Sequence, residues 1–278
     1  MTFSLGIDIG GTKMIFWDRL HPDGIRFPTG PDFNAQKLRT RINDYLKTCS
    51  EKPESIGIAF PGLVRNASEV VICGDVPGLN GLKADDLYLP QIPVRFINDV
   101  NAATLFAKTQ YRSNSLAMVM VGTGIGMGIT VRDNLLMGVK GWAGELGSIV
   151  FPTTDGRPKT LDELAGGKAL LEQIGLPADS LHNRLAQEEA ETMALVHDAG
   201  VALGMGLSMV LHLFNPDVLV LGGGTLSFRG YTSAAIATLR KFTLPPILNS
   251  CSIHTPKGAA DWAAKGAHFF SLHPATEV

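Results

Sequence analysis

Cysteine is scarce in this 278-residue chain: Cys49, Cys73 and Cys251 are its three, far apart, with no Cys-x-x-Cys pair. That excludes a disulfide framework and fits a reduced protein using thiols as small core residues. The seven histidines are scattered and form no His-x-x-x-His or His-Glu-x-x-His pattern. Basic surplus is absent: 24 Lys and Arg stand against 26 Asp and Glu, for a net charge of −2. A general nucleic-acid binder is therefore not expected. The N-terminus, MTFSLGIDIGG, lacks a basic stretch leading into an apolar one, so no secretory signal is expected. The longest nearly uncharged apolar run, Val201–Phe214, contains His212. It falls short of the roughly 20 residues a membrane span needs and reads as a buried helix. A cytoplasmic protein without a membrane partner is the expectation. No linker rich in Pro, Gly or Ser divides the chain.

What is present is enough apolar material for a core, at 45% hydrophobic against 18% charged residues. The length suits one large or two medium domains. The 31 glycines are clustered, which predicts glycine-rich loops. Phe3–Ile9, a glycine turn and Met14–Asp18 read as a β-hairpin rather than the strand-to-helix step of a dinucleotide fold. Leu38, Ile42, Tyr45, Leu46 and Cys49 share a helical face over residues 35–49. Ser55–Phe60 and Pro93–Ile97 read as strands, the latter running into a helix that starts near Asn98-Asp99. The logic then repeats: Leu116–Gly122 as a strand, TGIGMG as a turn, ITVRD as a second strand. A long helix is expected over roughly Ala190–Phe214, with Gly200, Gly204 and Gly206 admitting another element close to its backbone. VLVLGGG and a small-residue helix, GAADWAAKGAHFF, close the chain. Strands and helices mixed throughout predict an α/β fold.

Three glycine turns end apolar strands: Asp8–Lys13, Gly122–Gly126 and Gly222–Thr225. Glycine lets backbone N–H groups converge, and converging N–H groups with Thr hydroxyls suit phosphate. The plainer alternative is three tight hairpins. Asp8 would repel phosphate unless it holds Mg²⁺, most simply through water, and it could equally cap its turn. Asp99 reads locally as a helix N-cap. It also suits a general base that takes a proton from an alcohol during phosphoryl transfer. Glu145, flanked by glycines in GWAGELG, suits a polyhydroxy ligand as well as it suits a solvated loop.

Six segments in order resemble the ROK family (repressor, open reading frame, kinase): DIGGTK at 8–13, the Pro-Gly of GIAFPG at 61–62, NDVNAA at 98–103, GTGIGMGI at 122–129, GxxGWAGELG at 138–147 and NPDVLVLGGG at 215–224. The resemblance implies a two-domain actin-like ATPase (ribonuclease H-like) fold with an interdomain cleft. It implies a small N-terminal domain of residues 1–111, with a returning helix at about 259–278. The larger domain, residues 112–258, would bind nucleotide and sugar and make a homodimer. The implied activity is ATP-dependent, Mg²⁺-assisted phosphorylation of a sugar hydroxyl, a hexose or N-acetylhexosamine at its 6-OH. Carried over by position, Asp99 is the general base. Gly10, Gly11, Thr12, Lys13, Thr123 and Gly124 line the phosphates, and Gly223 and Gly224 border the adenosine. Pro61, Gly62, Asn98, Asp99, Glu145 and Asp162 face the sugar.

The departures from the family pattern are specific. Its usual His is Ser148 here, and its cysteine zinc knuckle is replaced by a shorter stretch without Cys, so no zinc is expected. The family's sugar-binding Glu aligns with Asp162, with Glu163 as a rival. Met127 replaces the central Gly of the second phosphate turn. Family repressors carry a DNA-binding domain ahead of DIGGTK, and none is expected here. A non-catalytic sugar or nucleotide sensor of the same fold is the alternative function. Another actin-like ATPase fits less well, because GWAGELG has the look of a sugar site.

Overall fold

Hydrophobic alternation and glycine placement build two mixed sheets in the computed structural model, which describes residues 3–153 and 156–272. The chain divides into two compact units. Unit 1 comprises Met1–Arg112, Asn134–Ala143 and Ala260–Val278, and unit 2 comprises Ser113–Asp133 and Gly144–Ala259.

Unit 1 begins with the expected hairpin, β1 (Ser4–Ile9) and β2 (Lys13–Asp18), extended by β3 (His21–Pro28). Helix α1 (Ala35–Thr48) follows and buries Leu38, Ile42 and Tyr45. Its N-cap Asn34 accepts from the Lys37 N–H, one of the donors a helix start leaves without an intrahelical partner. Strand β4 (Ser55–Phe60) is fully buried. A small hairpin, β5 (Gly62–Arg65) and β6 (Glu69–Cys73), precedes β7 (Val94–Asn98) and α2 (Asp99–Gln110). The main sheet runs β3-β2-β1-β4-β7, with β1, β4 and β7 parallel. Such strands are buried on both faces, which is why SIGIAF reads as a continuous apolar run. A two-residue strand, β10 (Asn134–Leu135), and the helix α9 (Trp262–Leu272) complete the unit. The C-terminal helix expected at about 259–278 thus starts at Trp262 after a 3₁₀ turn at Ala259–Asp261, and residues 273–278 lie outside the described residues.

Helix α9 lies on the sheet at backbone contact distance. A Cβ on Gly57 would lie 1.9 Å from the Ala267 carbonyl oxygen, and one on Gly6 2.0 Å from that of Ala264. Buried hydroxyls fasten the same helix: Ser55 donates to Ser4 and Ser271 in alternative hydroxyl orientations, at 3.0 and 2.9 Å. His268 is buried, with its Nδ1 3.0 Å from the Ser4 carbonyl oxygen.

Unit 2 repeats the plan. Strands β8 (Ser115–Val121) and β9 (Ile125–Val131) form a hairpin. Strands β13 (Val218–Gly222) and β14 (Ser252–His254) add parallel to β8, giving the order β9-β8-β13-β14. A short hairpin, β11 (Val150–Phe151) and β12 (Lys159–Thr160), occupies the stretch that lacks cysteine; Thr154 and Asp155 within it lie outside the described residues. Helices α3 (Leu161–Ala165), α4 (Gly167–Ile174), α5 (Ala178–Ala186), α6 (Ala190–Phe214), α7 (Tyr231–Phe242) and α8 (Pro245–Asn249) surround the sheet. Helix α6 is long and apolar enough to cross a membrane, yet 56% of its most hydropathic window is buried within the protein. Its glycines serve close packing as expected: a Cβ on Gly200 would lie 2.4 Å from the Tyr231 carbonyl oxygen, and one on Gly204 2.5 Å from that of Ala235.

The second glycine turn is shorter than TGIGMG suggested. Val121 pairs with Ile125, so Gly126 and Met127 already belong to β9. Alternation turns Met127 inward, where it is 7% exposed and packs in the apolar core of unit 2. That explains why a bulky residue is accepted there.

Candidate functional site

In both sheets the chemistry-bearing residues collect at the carboxyl ends of the parallel strands, where open α/β sheets bind ligands. In unit 1, Asp8 is on β1, Pro61 and Gly62 follow β4, and Asn98 and Asp99 follow β7. Asn98, not Asp99, is the N-cap of α2: its Oδ1 accepts from the Asn101 N–H at 3.0 Å. The Asn98 amide group donates to the Gly62 carbonyl and to Asp99 Oδ1, both at 3.1 Å. The Val100 N–H also donates to Asp99 Oδ1, at 2.9 Å. Asn98 is therefore a brace that holds the Pro61-Gly62 turn and the Asp99 carboxylate together. Gly62 has φ +150°, and a Cβ there would lie 2.1 Å from the Ile72 carbonyl oxygen, so no other residue fits.

Asp8 is pushed up to about 7, first by burial and then by the Asp99 charge, against the pull of Lys13. The sign follows. The folded protein holds this proton more tightly than the unfolded chain, whose carboxyl titrates near 3.8. Ligand-free protein should therefore lose stability as pH rises from about 4 to about 7. Asp8→Asn should flatten that decline and raise the melting temperature at pH 8, read from thermal melts across pH 4–8. A wild-type melting temperature that does not fall over this range would refute the Asp8 assignment.

The first glycine turn, Gly10–Thr12, has its carbonyls drawn back. Thr29 Oγ1 donates to the Gly10 carbonyl at 2.6 Å, and the Gly30 and Thr29 N–H groups donate to Gly11 and Thr12, each at 3.1 Å. Among the described residues this leaves the N–H groups of Gly11 and Thr12 as donors, the arrangement of an anion nest. Lys13 opens β2 and is exposed.

Unit 2 repeats the device. The Gly122 carbonyl accepts from the Gly167 N–H and Thr225 Oγ1, at 2.9 and 3.0 Å, and the Thr123 carbonyl from the Lys168 N–H at 3.0 Å. Among the described residues the amides of Thr123 and Gly124 remain as donors. Above this turn opens a cavity of about 690 Å³ lined by Gly122, Thr123, Lys168, His182, Gly224 and Phe228 among others. The His182 and Phe228 rings stand 4.9 Å apart. Gly223 and Gly224 differ sharply. Gly223 has φ +105°, and a Cβ on it would lie 2.2 Å from the Val121 carbonyl oxygen; one on Gly224 would meet nothing within 4 Å. Gly224→Ala should therefore melt like wild type yet bind ADP about tenfold more weakly, because its methyl stands where the nucleotide is expected. Gly223→Ala should lose stability outright. Calorimetric ADP binding beside thermal melts checks both. Unchanged ADP affinity in a folded Gly224→Ala protein would move the nucleotide elsewhere.

Glu145 and Asp162 are close in unit 2. Desolvation first, and then the Asp162 charge, raise the Glu145 carboxyl above its usual range. Asp162 Oδ1 accepts from the Ile125 N–H at 2.7 Å. Its rival Glu163 instead completes a capping box with Thr160 at the start of α3. Ser148 is exposed and closes a 3₁₀ turn, its N–H donating to the Glu145 carbonyl. Among the described residues no group of three or more His, Cys, Asp or Glu is placed to hold a metal ion.

Thr29 and the bracing role of Asn98 escaped the sequence reading. Thr225 closes the third glycine turn, but its tie to the Gly122 carbonyl was not read from the sequence. Thr29 carried no local signal, because its partner is 19 residues away.

The two units and their strand orders define the actin-like ATPase fold, a mixed α/β architecture. A ROK hexokinase from Thermus thermophilus superposes with a TM-score of 0.80 at 24% identity, over 98% of each chain. A ROK family glucokinase from Streptomyces griseus, solved with glucose and AMPPNP, gives 0.78 at 19% identity, over 97% of this chain and 99% of that one. The profile of the ROK family matches residues 4–271, and the chain belongs to that family. Among relatives, the N-acetylmannosamine kinase of Vibrio vulnificus is 26% identical over 290 residues, 95% of this chain and 96% of its own length. The xylose repressor of Bacillus subtilis is 26% identical over 247 residues, 79% of this chain and 63% of its own.

Proposed function

We propose that this chain is an ATP-dependent sugar kinase that phosphorylates a hexose or N-acetylhexosamine at its 6-OH. The observation that carries the reading is the Asp99 carboxylate, held by two donors on one oxygen at the end of a parallel strand, beside Asp8 and a glycine turn with its carbonyls tied back. Asp99 takes the proton of the attacking hydroxyl as the new oxygen–phosphorus bond forms and the bond to the departing ADP breaks. Gly10, Gly11, Thr12, Lys13, Thr123 and Gly124 hold the phosphates, while Gly223 and Gly224 border the adenosine. Pro61, Gly62 and Glu145 bound the sugar, with Asn98 orienting the base and Asp162 standing beside Glu145. Asp8 would hold Mg²⁺ through water. Its carboxyl is buried and feels the Asp99 charge; a cation there would displace its proton and offset that repulsion, and carboxylate oxygens suit this ion. When bound, the ion supplies neutralisation of phosphate charge.

The kinase names among the relatives and the nucleotide analogue in the glucokinase support this reading. The reading includes a cytoplasmic homodimer acting on a small-molecule sugar, with no zinc, nucleic acid or membrane partner. The xylose repressor keeps a second reading open, a sensor that binds sugar or nucleotide without turnover. An ADP-release assay with Mg-ATP against glucose, fructose, mannose, allose, N-acetylglucosamine and N-acetylmannosamine decides between them. Turnover with one sugar establishes the kinase and names its substrate. Calorimetric binding of sugar or ATP without ADP release from any of them selects the sensor.

A further inference from the structure

Asp162 occupies an unusual place in unit 2. Its Oδ1 accepts from the Ile125 N–H at 2.7 Å, directly after the Gly122–Gly124 turn. A Cβ on Gly124 would lie 3.2 Å from Oδ2 of the same carboxylate. A Cβ on Gly147 would lie 2.1 Å from Oδ1 and 2.5 Å from the Ile125 carbonyl oxygen, so the loop carrying Glu145 presses its glycine backbone onto this side chain. The main chain of Asp162 is also engaged, its carbonyl accepting from the Gly166 N–H at 2.9 Å. The next two residues then close on the phosphate turn through the Gly167 and Lys168 N–H groups. One carboxylate thus touches the backbone of the phosphate turn and the backbone of the Glu145 loop.

We propose that Asp162 is a positioning residue that ties the Gly122–Ile125 turn to the Glu145–Gly147 loop, so that nucleotide binding and sugar binding in unit 2 share one joint. The proposal rests on the kinase reading for what the two segments bind, and on the geometry alone for the joint. A carboxylate accepting from a backbone N–H makes a charge-assisted hydrogen bond that holds that amide in place. The short Asp side chain is drawn onto the turn, and Gly147 leaves just the room this requires. A residue acting this way governs the phosphate turn first. A residue acting as a sugar ligand governs sugar affinity alone.

The test compares Asp162→Ala, which removes the acceptor, with Asp162→Asn, which keeps an oxygen for the Ile125 N–H. Amide hydrogen exchange, ADP binding and sugar KM are measured on each. In Asp162→Ala, exchange should speed up both in peptides covering 122–127 and in those covering 144–148. ADP should bind about tenfold more weakly, the scale of one lost charge-assisted hydrogen bond. Sugar KM should move less than ADP affinity. Asp162→Asn should restore ADP binding to within about threefold of wild type. Wild-type exchange in both segments overturns the joint, whether or not the protein proves to be a kinase. A rise confined to sugar KM, with ADP binding intact, makes Asp162 a direct sugar ligand and also overturns it. Absence of turnover with every sugar would sink the kinase reading while the exchange result still decides the joint. If Asp162→Ala does not fold, Asp162→Asn alone decides. Protected segments and near-native ADP affinity support the joint, and ADP binding weakened tenfold or more despite the retained oxygen overturns it.

Discussion

Asp99→Asn should lower turnover by about 10²- to 10⁴-fold, the range general-base catalysis supplies. Binding of sugar and of ADP should stay near wild type. The substitution is isosteric, and its carbonyl oxygen can keep the hydrogen bonds from the Val100 N–H and the Asn98 amide at their 2.9 and 3.1 Å positions. What is lost is a group that can accept the hydroxyl proton. Asn98→Ala should act on the same step less severely, because it removes the brace and the helix cap but leaves the carboxylate. The ADP-release assay on the best sugar of the panel measures this, with calorimetry as the binding control. Turnover within about threefold of wild type in Asp99→Asn would remove Asp99 as the base.

A large stability effect is expected at Gly57. An added methyl would lie 1.9 Å from the Ala267 carbonyl oxygen, and neither the buried strand β4 nor α9 can yield without parting. Overpacking a close-packed interior costs about 3 kcal/mol when backbone must move. That corresponds to a fall in melting temperature of roughly 6–12 °C in a domain of about this size. The cost includes the hydroxyl chain Ser4–Ser55–Ser271, which needs α9 seated to keep its buried hydroxyls paired. Gly74→Ala is the control: nothing lies within 4 Å of a Cβ there, so its effect should stay within about 0.5 kcal/mol. A Gly57→Ala protein melting within about two degrees of wild type would mean that α9 is not docked as described.

The hairpins, the buried strands, α1 and α6 were legible because each is a local matter. Periods of 2 and 3.6 residues, with turn and cap chemistry, need only neighbours along the chain. The family pattern was legible because six short segments keep their order across most of the chain. Less legible was what the side chains within those motifs do. Asn98 stands next to Asp99 in sequence, yet its bracing of Gly62 spans 36 residues. Asp162 aligned with a sugar ligand, but its hydrogen bond to Ile125 also spans 37 residues. Met127 stands in the glycine motif of the second phosphate turn, and only its register with Val119 places it in the core.

The α/β class, the strand-ending glycine turns, the family and the residues worth testing could all be read along the chain. Which carbonyls of those turns are tied back, which residue caps α2, why Gly57 must be glycine and what the Asp162 carboxylate holds emerged from the folded chain alone. Local elements follow from short-range sterics and hydrophobic periodicity. Hydrogen-bond partners and close backbone approaches between distant segments exist only once packing brings those segments together.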